Sequence, residues 1–392
     1  MNTHKDNTDK SEKILSFLYT FLTVVFCAVI VFGGIYFIFH KDKEMSESEN
    51  RVLQQKPSLT LSAVLDGSFM KSFETWLSDQ FPLRDGIISF KTLTERTLGK
   101  KEQNGVFFGE NGFLFEKQSI YNKKDVNKKL KLIGNFLKTQ DTAENAVIIS
   151  PNSSGILSGF LPEFVTESSQ ENQLNRIKNE LTKYGVKYID SFGVLSSAKD
   201  KTKLFYRTDH HWTTSAASLV FKKLAKEWKL DTKNTKLKFY TVTDSFQGTL
   251  ASTSGANVSF DKIQICVPDV KGLKYIVRNE TANTKSASVF DKSKLETKNK
   301  YEVFFGGNFD KIVITTNNKN RDTLLVFKDS YANCFIPMLV PYFSKIVIVD
   351  PRYYGDKLQS ITEEYDFSHI LFLYNLNTFL EDTSIEKLFK SK

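Results

Sequence analysis

Cysteine is scarce in this chain. Cys27, Cys266 and Cys334 are the only three in 392 residues, and no CxxC pair or Cys/His ligand spacing links them. A disulfide framework and a structural zinc centre are therefore excluded as the basis of stability, and all three cysteines read as small hydrophobes of membrane or core. Histidine is nearly as sparse: of five, only His210, His211 and His369 lie beyond the N-terminal region and can serve as a base. No internal repeat or low-complexity tract is present. Apolar material is plentiful, with 40% hydrophobic and 13% aromatic residues, which excludes a disordered chain and supplies a core for one large domain or two moderate ones.

Basic charge is in excess without being clustered. A net charge of +9 and a pI near 9.1 fit an anionic neighbour such as a phospholipid surface or an acidic wall polymer. The lysines are spread along the chain and mark no single partner, and no nucleic-acid partner is expected. One stretch has no charge at all. Residues 14–39, ILSFLYTFLTVVFCAVIVFGGIYFIF, are long enough to cross a bilayer as a helix. The run is too long for a signal-peptide core and no clear small-residue cleavage site follows, so it reads as an uncleaved anchor behind a short cytoplasmic tail, residues 1–13. Lys5, Lys10 and Lys13 before it balance Lys41, Lys43 and Arg51 after it, and charge leaves the orientation open. An extracytoplasmic bulk follows from the usual behaviour of single N-terminal anchors.

Residues 40–100 read as a polar stalk followed by two helices, one carrying Phe69, Phe73 and Trp76 at helical spacing and one starting after Pro82, both expected to pack on the main domain. NGVFFGENGFLFE predicts a hairpin turning at Asn111-Gly112. Strands then alternate with helices: NAVIIS, the helix QENQLNRIKNELTKYG, the strand VKYID, and the helix TTSAASLVFKKLAKEW. Residues from about 236 to 320 carry short β-like runs (KFYTV, KIQICV, YEVFFGG, KIVITT) and read as a β-rich insertion. The alternation resumes with TLLVF, a helix at SYANCFIPML, KIVIVD and HILFLYN. The expected fold class is α/β, a doubly wound, mostly parallel sheet with helices on both faces, and residues 101–392 form the main domain. In such sheets reactive groups collect at the carboxyl ends of strands, which singles out Ser150, Asn152, Asp190, Ser330, Asp350, Arg352 and Asn375.

A histidine base needs a carboxylate to hold its tautomer and a hydroxyl to activate. In YRTDHHWTTSAA, Asp209 precedes His211 by two residues, a spacing that lets a turn present both on one side. In LLVFKDSYANCF, Ser330 follows a buried strand at the start of an expected helix, where free N–H groups favour an oxyanion. Taken alone, a DxH pair reads more readily as a structural or surface feature, and Asp329 or Ser330 more readily as a helix cap. Cys334, a turn later, reads as core. Adjacent His210 and His211 cannot both bind one zinc comfortably, and no third ligand stands at metal spacing, so no metal and no cofactor are expected.

Taken together, DHHW (residues 209–212), KDSYANCFIP (328–337) and DPRYY (350–354) resemble the DHHW protein family, which is similar to the alginate O-acetylation proteins of the SGNH hydrolase-like superfamily. SENRVLQQKP, DQFPLRD and GENGFLF extend the resemblance through most of the ectodomain. The resemblance implies an SGNH-like, flavodoxin-like sheet and a triad of Ser330 as nucleophile, His211 as base and Asp209 as orienting carboxylate. It also implies a circularly permuted block order, since the Asp/His segment here precedes the serine. Two departures stand out: the spacing is Asp-x-His rather than Asp-x-x-His, and the glycine of the usual second oxyanion block has no counterpart. Arg352 stands near that position and Asn375 where the superfamily's asparagine would be, so both are substrate or oxyanion candidates, with His210 and Tyr331 beside them. Asp350 and Arg352 could equally form an ion pair that shapes the loop.

The expected function is a membrane-anchored O-acyltransferase, acetyl in the first instance, acting on a cell-surface polysaccharide. The resemblance implies a membrane-bound O-acyltransferase as its partner. Two alternatives remain open: an esterase using the same triad, and a non-catalytic polysaccharide-binding component of an export or acetylation complex. A transferase and an esterase share one acyl-enzyme and differ only in whether a sugar or water accepts the group.

Overall fold

The computed structural model describes residues 3–46, 51–140, 142–163, 165–320 and 322–390. Residues 1–2 of the expected tail and the Ser-Glu-Asn of the SENRV motif lie outside them. The chain divides into two compact units, one covering Met1–Glu47 and Arg51–Ile87 and the other holding Ile88–Lys392.

The first unit begins with helix α1 (Thr3–Phe39). Within it Lys13–Phe37 has a mean hydropathy of 2.6 and none of it is buried, so this one helix is long and apolar enough to cross a membrane. A two-residue ladder, β1 (Met45–Ser46) with β2 (Arg51–Val52), and the helices α2 (Leu61–Leu65) and α3 (Ser68–Asp79) follow. The expected stalk is a hydrogen-bonded knot. Asp42 accepts from the Trp76 indole at 2.8 Å, Asp79 accepts from the Gln54 amide at 2.9 Å, and the Gln80 side chain both donates to and accepts from the Lys43 backbone. The C-terminal end of α3 is thus tied to Asp42, Lys43 and Gln54 within the first unit, where its polar groups find their partners. Helix α4 (Arg84–Thr97) starts after Pro82, as its spacing predicts.

The second unit opens with a three-stranded sheet, β3 (Glu102–Gln103), β4 (Val106–Phe108) and β5 (Leu114–Glu116). The β4–β5 connection places Asn111 and Gly112 in the left-handed region (φ 53° and 75°), the conformation that Asn-Gly tolerates. Helix α5 (Lys123–Thr139), β6 (Glu144–Ser150), the short α6 (Ser153–Ile156), α7 (Gln170–Thr182), α8 (Ser191–Ser196) and α9 (Thr214–Glu227) come next. The predicted strand VKYID is reduced to one parallel bridge between Val147 and Tyr188.

The β-rich segment divides. Strands β7 (Lys236–Phe246) and β8 (Asp261–Asp269) pair as a separate ribbon, with helix α10 (Thr249–Ser254) between them. Strands β9 (Tyr275–Asn279), β10 (Thr284–Ser286) and β11 (Lys311–Thr316) join the main sheet instead. That sheet has the order β10-β9-β11-β13-β12-β14-β6, completed by β12 (Thr323–Lys328), β13 (Lys345–Val349) and β14 (His369–Asn375). Pairings from β13 to β6 are parallel and those from β13 to β10 antiparallel, so the sheet is mixed where the strand pattern predicted a mostly parallel one. YEVFFGG is not a strand: Lys300–Val303 is a 3₁₀ turn.

Both faces of the sheet are covered, which is why its strands are continuously apolar. Leu324, Val326, Ile348 and Leu371 face one core with α9, while Leu325, Phe327, Val347 and Phe372 face the other with α5 and α7. Helices α11 (Leu358–Glu364), α12 (Leu376–Glu381) and α13 (Ser384–Lys390) complete the second side.

Candidate active site

Strand β12 ends in Lys328, and the chain turns sharply at Asp329. Its carboxylate accepts from the Tyr331 amide at 2.9 Å and from the Asn375 amide at 2.8 Å, pinning the turn to the end of β14. The segment after it is 3₁₀, Ser330–Cys334 and Ile336–Tyr342, in place of the expected α-helix. Pro337 and Pro341 remove two amide donors, so a regular α ladder cannot run through it. Ser330 stands at the head of this turn, partly exposed.

The other half of the site is a closed loop between α8 and α9. Phe205 and Trp212 form an antiparallel bridge, Thr213 donates to the Leu204 carbonyl at 2.8 Å, and Asp209 to His211 occupy the tip. Trp212 is fully buried and its indole N–H donates to the Tyr331 carbonyl at 2.9 Å, fastening this loop to the Ser330 turn. His211 Nε2 lies 2.8 Å from Ser330 Oγ, and His211 Nδ1 lies 2.5 Å from Asp209 Oδ1. A carboxylate only accepts, so Nδ1 carries the proton and Nε2 is left to accept from the serine hydroxyl.

Asp209 is held on both oxygens. Oδ1 also accepts from the His211 amide at 2.9 Å, and Oδ2 accepts from the Thr249 amide at 2.8 Å and its hydroxyl at 3.1 Å. Burial alone would raise this carboxyl. The facing His211 and His210 imidazoles and the hydrogen bonds outweigh it and hold Asp209 well below the usual carboxylate range. Burial pushes the His211 imidazole the other way, down to about 4, with the neighbouring His210 adding to the effect, so it is neutral near pH 7. Geometry and charge together make a neutral base, an ionised orienting carboxylate and a hydroxyl in hydrogen-bond reach.

Four contributors to the site carried no sequence signal that singled them out. The Tyr301 ring stacks on His211, centroids 3.9 Å apart at 15°, from the 3₁₀ turn that reads as a strand. Thr249 heads α10, and Gly248 before it lets that helix approach: a Cβ there would fall 2.2 Å from the Asp209 Cβ. Asp261, the first residue of β8, accepts from the amides of Arg207 and Thr208 and from the Thr208 hydroxyl, fixing the loop from below. A glycine-threonine pair before a short helix was the one available hint.

His210 is half-exposed, its Nδ1 2.6 Å from Thr249 Oγ1. Because the threonine proton is given to Asp209, His210 Nδ1 is the donor, which leaves its Nε2 as an acceptor. Asp209, His210 and His211 also bring potential ligand atoms within 4.8 Å of one another, but both His211 nitrogens are already engaged. Tyr331 is buried, its hydroxyl donating to the His210 carbonyl at 2.5 Å. Asn375 caps α12 through its Oδ1 and donates to Asn152 Oδ1. Arg352 pairs with Asp350 through two hydrogen bonds of 2.9 and 2.7 Å, and the buried Lys328 reaches the same carboxylate at 3.3 Å. Ser150 lies buried at the end of β6, and Asp190 caps α8 by accepting from the Gly193 amide; neither joins the group around Ser330.

The family model described as an SGNH hydrolase-like domain of the acetyltransferase AlgX matches residues 106–307, just over half of the chain. The chain belongs to this family. The match spans the Asp209–His211 loop, Thr249 and Asp261 and stops short of Ser330. A probable alginate O-acetylase AlgJ of Azotobacter vinelandii is 24% identical over 168 residues, which is 41% of this AlgX-family chain and 43% of that protein. Among solved structures, a DHHW family protein from Eubacterium siraeum superposes with a TM-score of 0.62 at 21% identity, covering 74% of this chain and 98% of its own. PatB1 of Bacillus cereus, solved with a sulfonyl adduct, gives 0.58 at 20% identity, covering 73% and 99%. These neighbours share the α/β fold, and its SGNH-like character rests on the family model.

Proposed function

We propose that this AlgX-family chain is a membrane-anchored, extracytoplasmic serine O-acetyltransferase that modifies hydroxyls of a cell-surface polysaccharide. The observation that carries the reading is the continuous chain Ser330 Oγ, His211 Nε2, His211 Nδ1, Asp209 Oδ1, at 2.8 and 2.5 Å. In this reading His211 takes the Ser330 proton as Oγ attacks the acyl carbonyl of the donor, and Asp209 stabilises the imidazolium that forms. The tetrahedral intermediate collapses, the leaving group takes the proton back from His211, and an acetyl ester remains on Ser330. A sugar hydroxyl then gives its proton to His211, attacks the ester carbonyl and leaves acetylated, restoring the serine. The Ser330 backbone N–H, which donates no hydrogen bond among the described residues, is the proposed oxyanion donor, and the Arg352 guanidinium, whose charge reaches His211, is the proposed cation.

The acetylating names of the AlgX family and the AlgJ relative support acetyl as the group transferred. An apolar helix ahead of the domain supports anchoring, and an acyl donor from a membrane-bound O-acyltransferase partner fits that placement. The test is release of p-nitrophenol from its acetate ester and transfer of labelled acetyl to polysaccharide. Ser330→Ala is expected to abolish both, and Asp209→Asn to lower kcat by roughly 10³–10⁴-fold with KM little changed. Full activity in Ser330→Ala would sink the triad. Ester release without any transfer would move the reading to an esterase.

A further inference from the structure

A second cavity lies away from the triad, between the C-terminal half of α9 and the start of β7. It measures about 650 Å³, within the ordinary range for a small-molecule site. Its floor is apolar, made by Phe221, Ala225, Leu230, Leu237, Phe239 and Tyr342. Its rim is basic: Lys222, Lys226 and Lys229 stand at i, i+4 and i+7, one stripe of α9 and the turn after it, all exposed. Among the described residues no carboxylate lines it, and Asp231, whose charge reaches Tyr342, stands outside the lining. The neighbouring stripe is different, because Lys223 there is paired with Glu227 at 3.1 Å. No ion pair engages Lys222, Lys226 or Lys229 among the described residues; Glu144, which feels Lys229, is itself paired with Lys187.

The helix dipole within the fold falls short as an explanation. Lysines near a helix C-terminus are favoured by the helix dipole, but that accounts for Lys226 and Lys229 and not for Lys222, more than a turn earlier. Nor does it account for the open apolar floor beneath them, where Phe239 remains 39% exposed.

We propose that this cavity binds a single-chain anionic amphiphile, an acyl chain seated on the Phe221, Leu237 and Phe239 floor with its carboxylate or phosphate head on the three lysines. The combination decides the class. A free phosphate leaves the floor uncovered, and a neutral lipid leaves three ammonium groups unanswered. The site is independent of the triad, so it stands or falls apart from the acetyl-transfer reading.

The test uses the full chain in phosphatidylcholine nanodiscs and a long-chain fatty acid carrying a diazirine, with its methyl ester as the neutral control. Photolabelled peptides are mapped by mass spectrometry. Labelling of residues 221–239 by the acid is expected to exceed labelling by the ester at least tenfold, and to fall at least tenfold in the Lys222→Glu, Lys226→Glu, Lys229→Glu triple variant and in Phe239→Asp. Inorganic phosphate in excess is expected to leave it unchanged. Equal labelling by acid and ester, labelling unaffected by either variant, or loss to inorganic phosphate would overturn the proposal. All four substituted side chains are exposed, and circular dichroism with a thermal melt serves as the control that each variant is folded.

Discussion

At the scale of single residues, the site depends on a histidine kept neutral. Burial lowers the His211 imidazole below its ordinary value near 6.5, and in the proposed mechanism the group must be unprotonated at Nε2 to accept the serine proton. The sign follows directly. Protonation needs a lower pH than in a free histidine, so ester release in this protein is expected to hold steady as pH falls through 6.5 and to decline only toward pH 4. A pH profile of kcat/KM measures this, and an acid limb at 6.5 or above would contradict it. The same depression means that stability contributed by His211 is present above pH 6.5 and lost as pH falls toward the folded-state value. Much of this site was legible in the residues themselves. An acid, a histidine and a serine have recognisable chemistry, and DHHW and KDSY name them. Tyr301, Thr249 and Asp261 were not legible, because their contribution is a position: a ring face, a helix-end amide and a carboxylate under a loop, each brought in from the segment between the two motifs.

At the scale of elements, α10 is the part whose placement the site most needs. Its first amide and hydroxyl occupy the Asp209 oxygen that His211 leaves free, and Gly248 permits the approach. Gly248→Ala would drive a methyl group into the Asp209 side chain, and neither the helix nor the buried carboxylate can retreat without breaking a hydrogen bond. Overpacking of this kind costs about 1–3 kcal/mol, so the variant is expected to fold with a lowered melting midpoint and to lose kcat out of proportion to stability. Thermal unfolding beside steady-state kinetics separates the two. Elements with a strong period or a turn signal were readable, such as α7, α9, β12, β13, β14 and the turn at Asn111-Gly112. Misread elements have physical causes. YEVFFGG has strand composition but closes as a 3₁₀ turn whose Phe304 and Tyr301 are drawn into the core. VKYID pairs at a single residue, and the prolines after Ser330 turn an expected α-helix into 3₁₀ segments. Strand partners were beyond reach: β9, β10 and β11 read as part of an insertion, and only the fold reveals that they extend the main sheet.

At the scale of the whole molecule, the chain joins an apolar N-terminal helix to a unit of the AlgX family that carries a serine, a histidine and an aspartate in register. If the helix is an anchor with the domain outside, protease added to intact cells is expected to remove the region after residue 40 while sparing a tag at the N-terminus; the reverse pattern would invert the topology. The central claim is the acyl-enzyme. Its most direct measurement is peptide mass spectrometry of the full chain quenched after brief exposure to an activated acetyl ester, followed by addition of polysaccharide acceptor. An acetyl group on Ser330 is expected within the first turnover, absent in Ser330→Ala, and discharged faster when acceptor is present than in water alone. Acetyl found on any other residue, or ester turnover with Ser330 never modified, would contradict it.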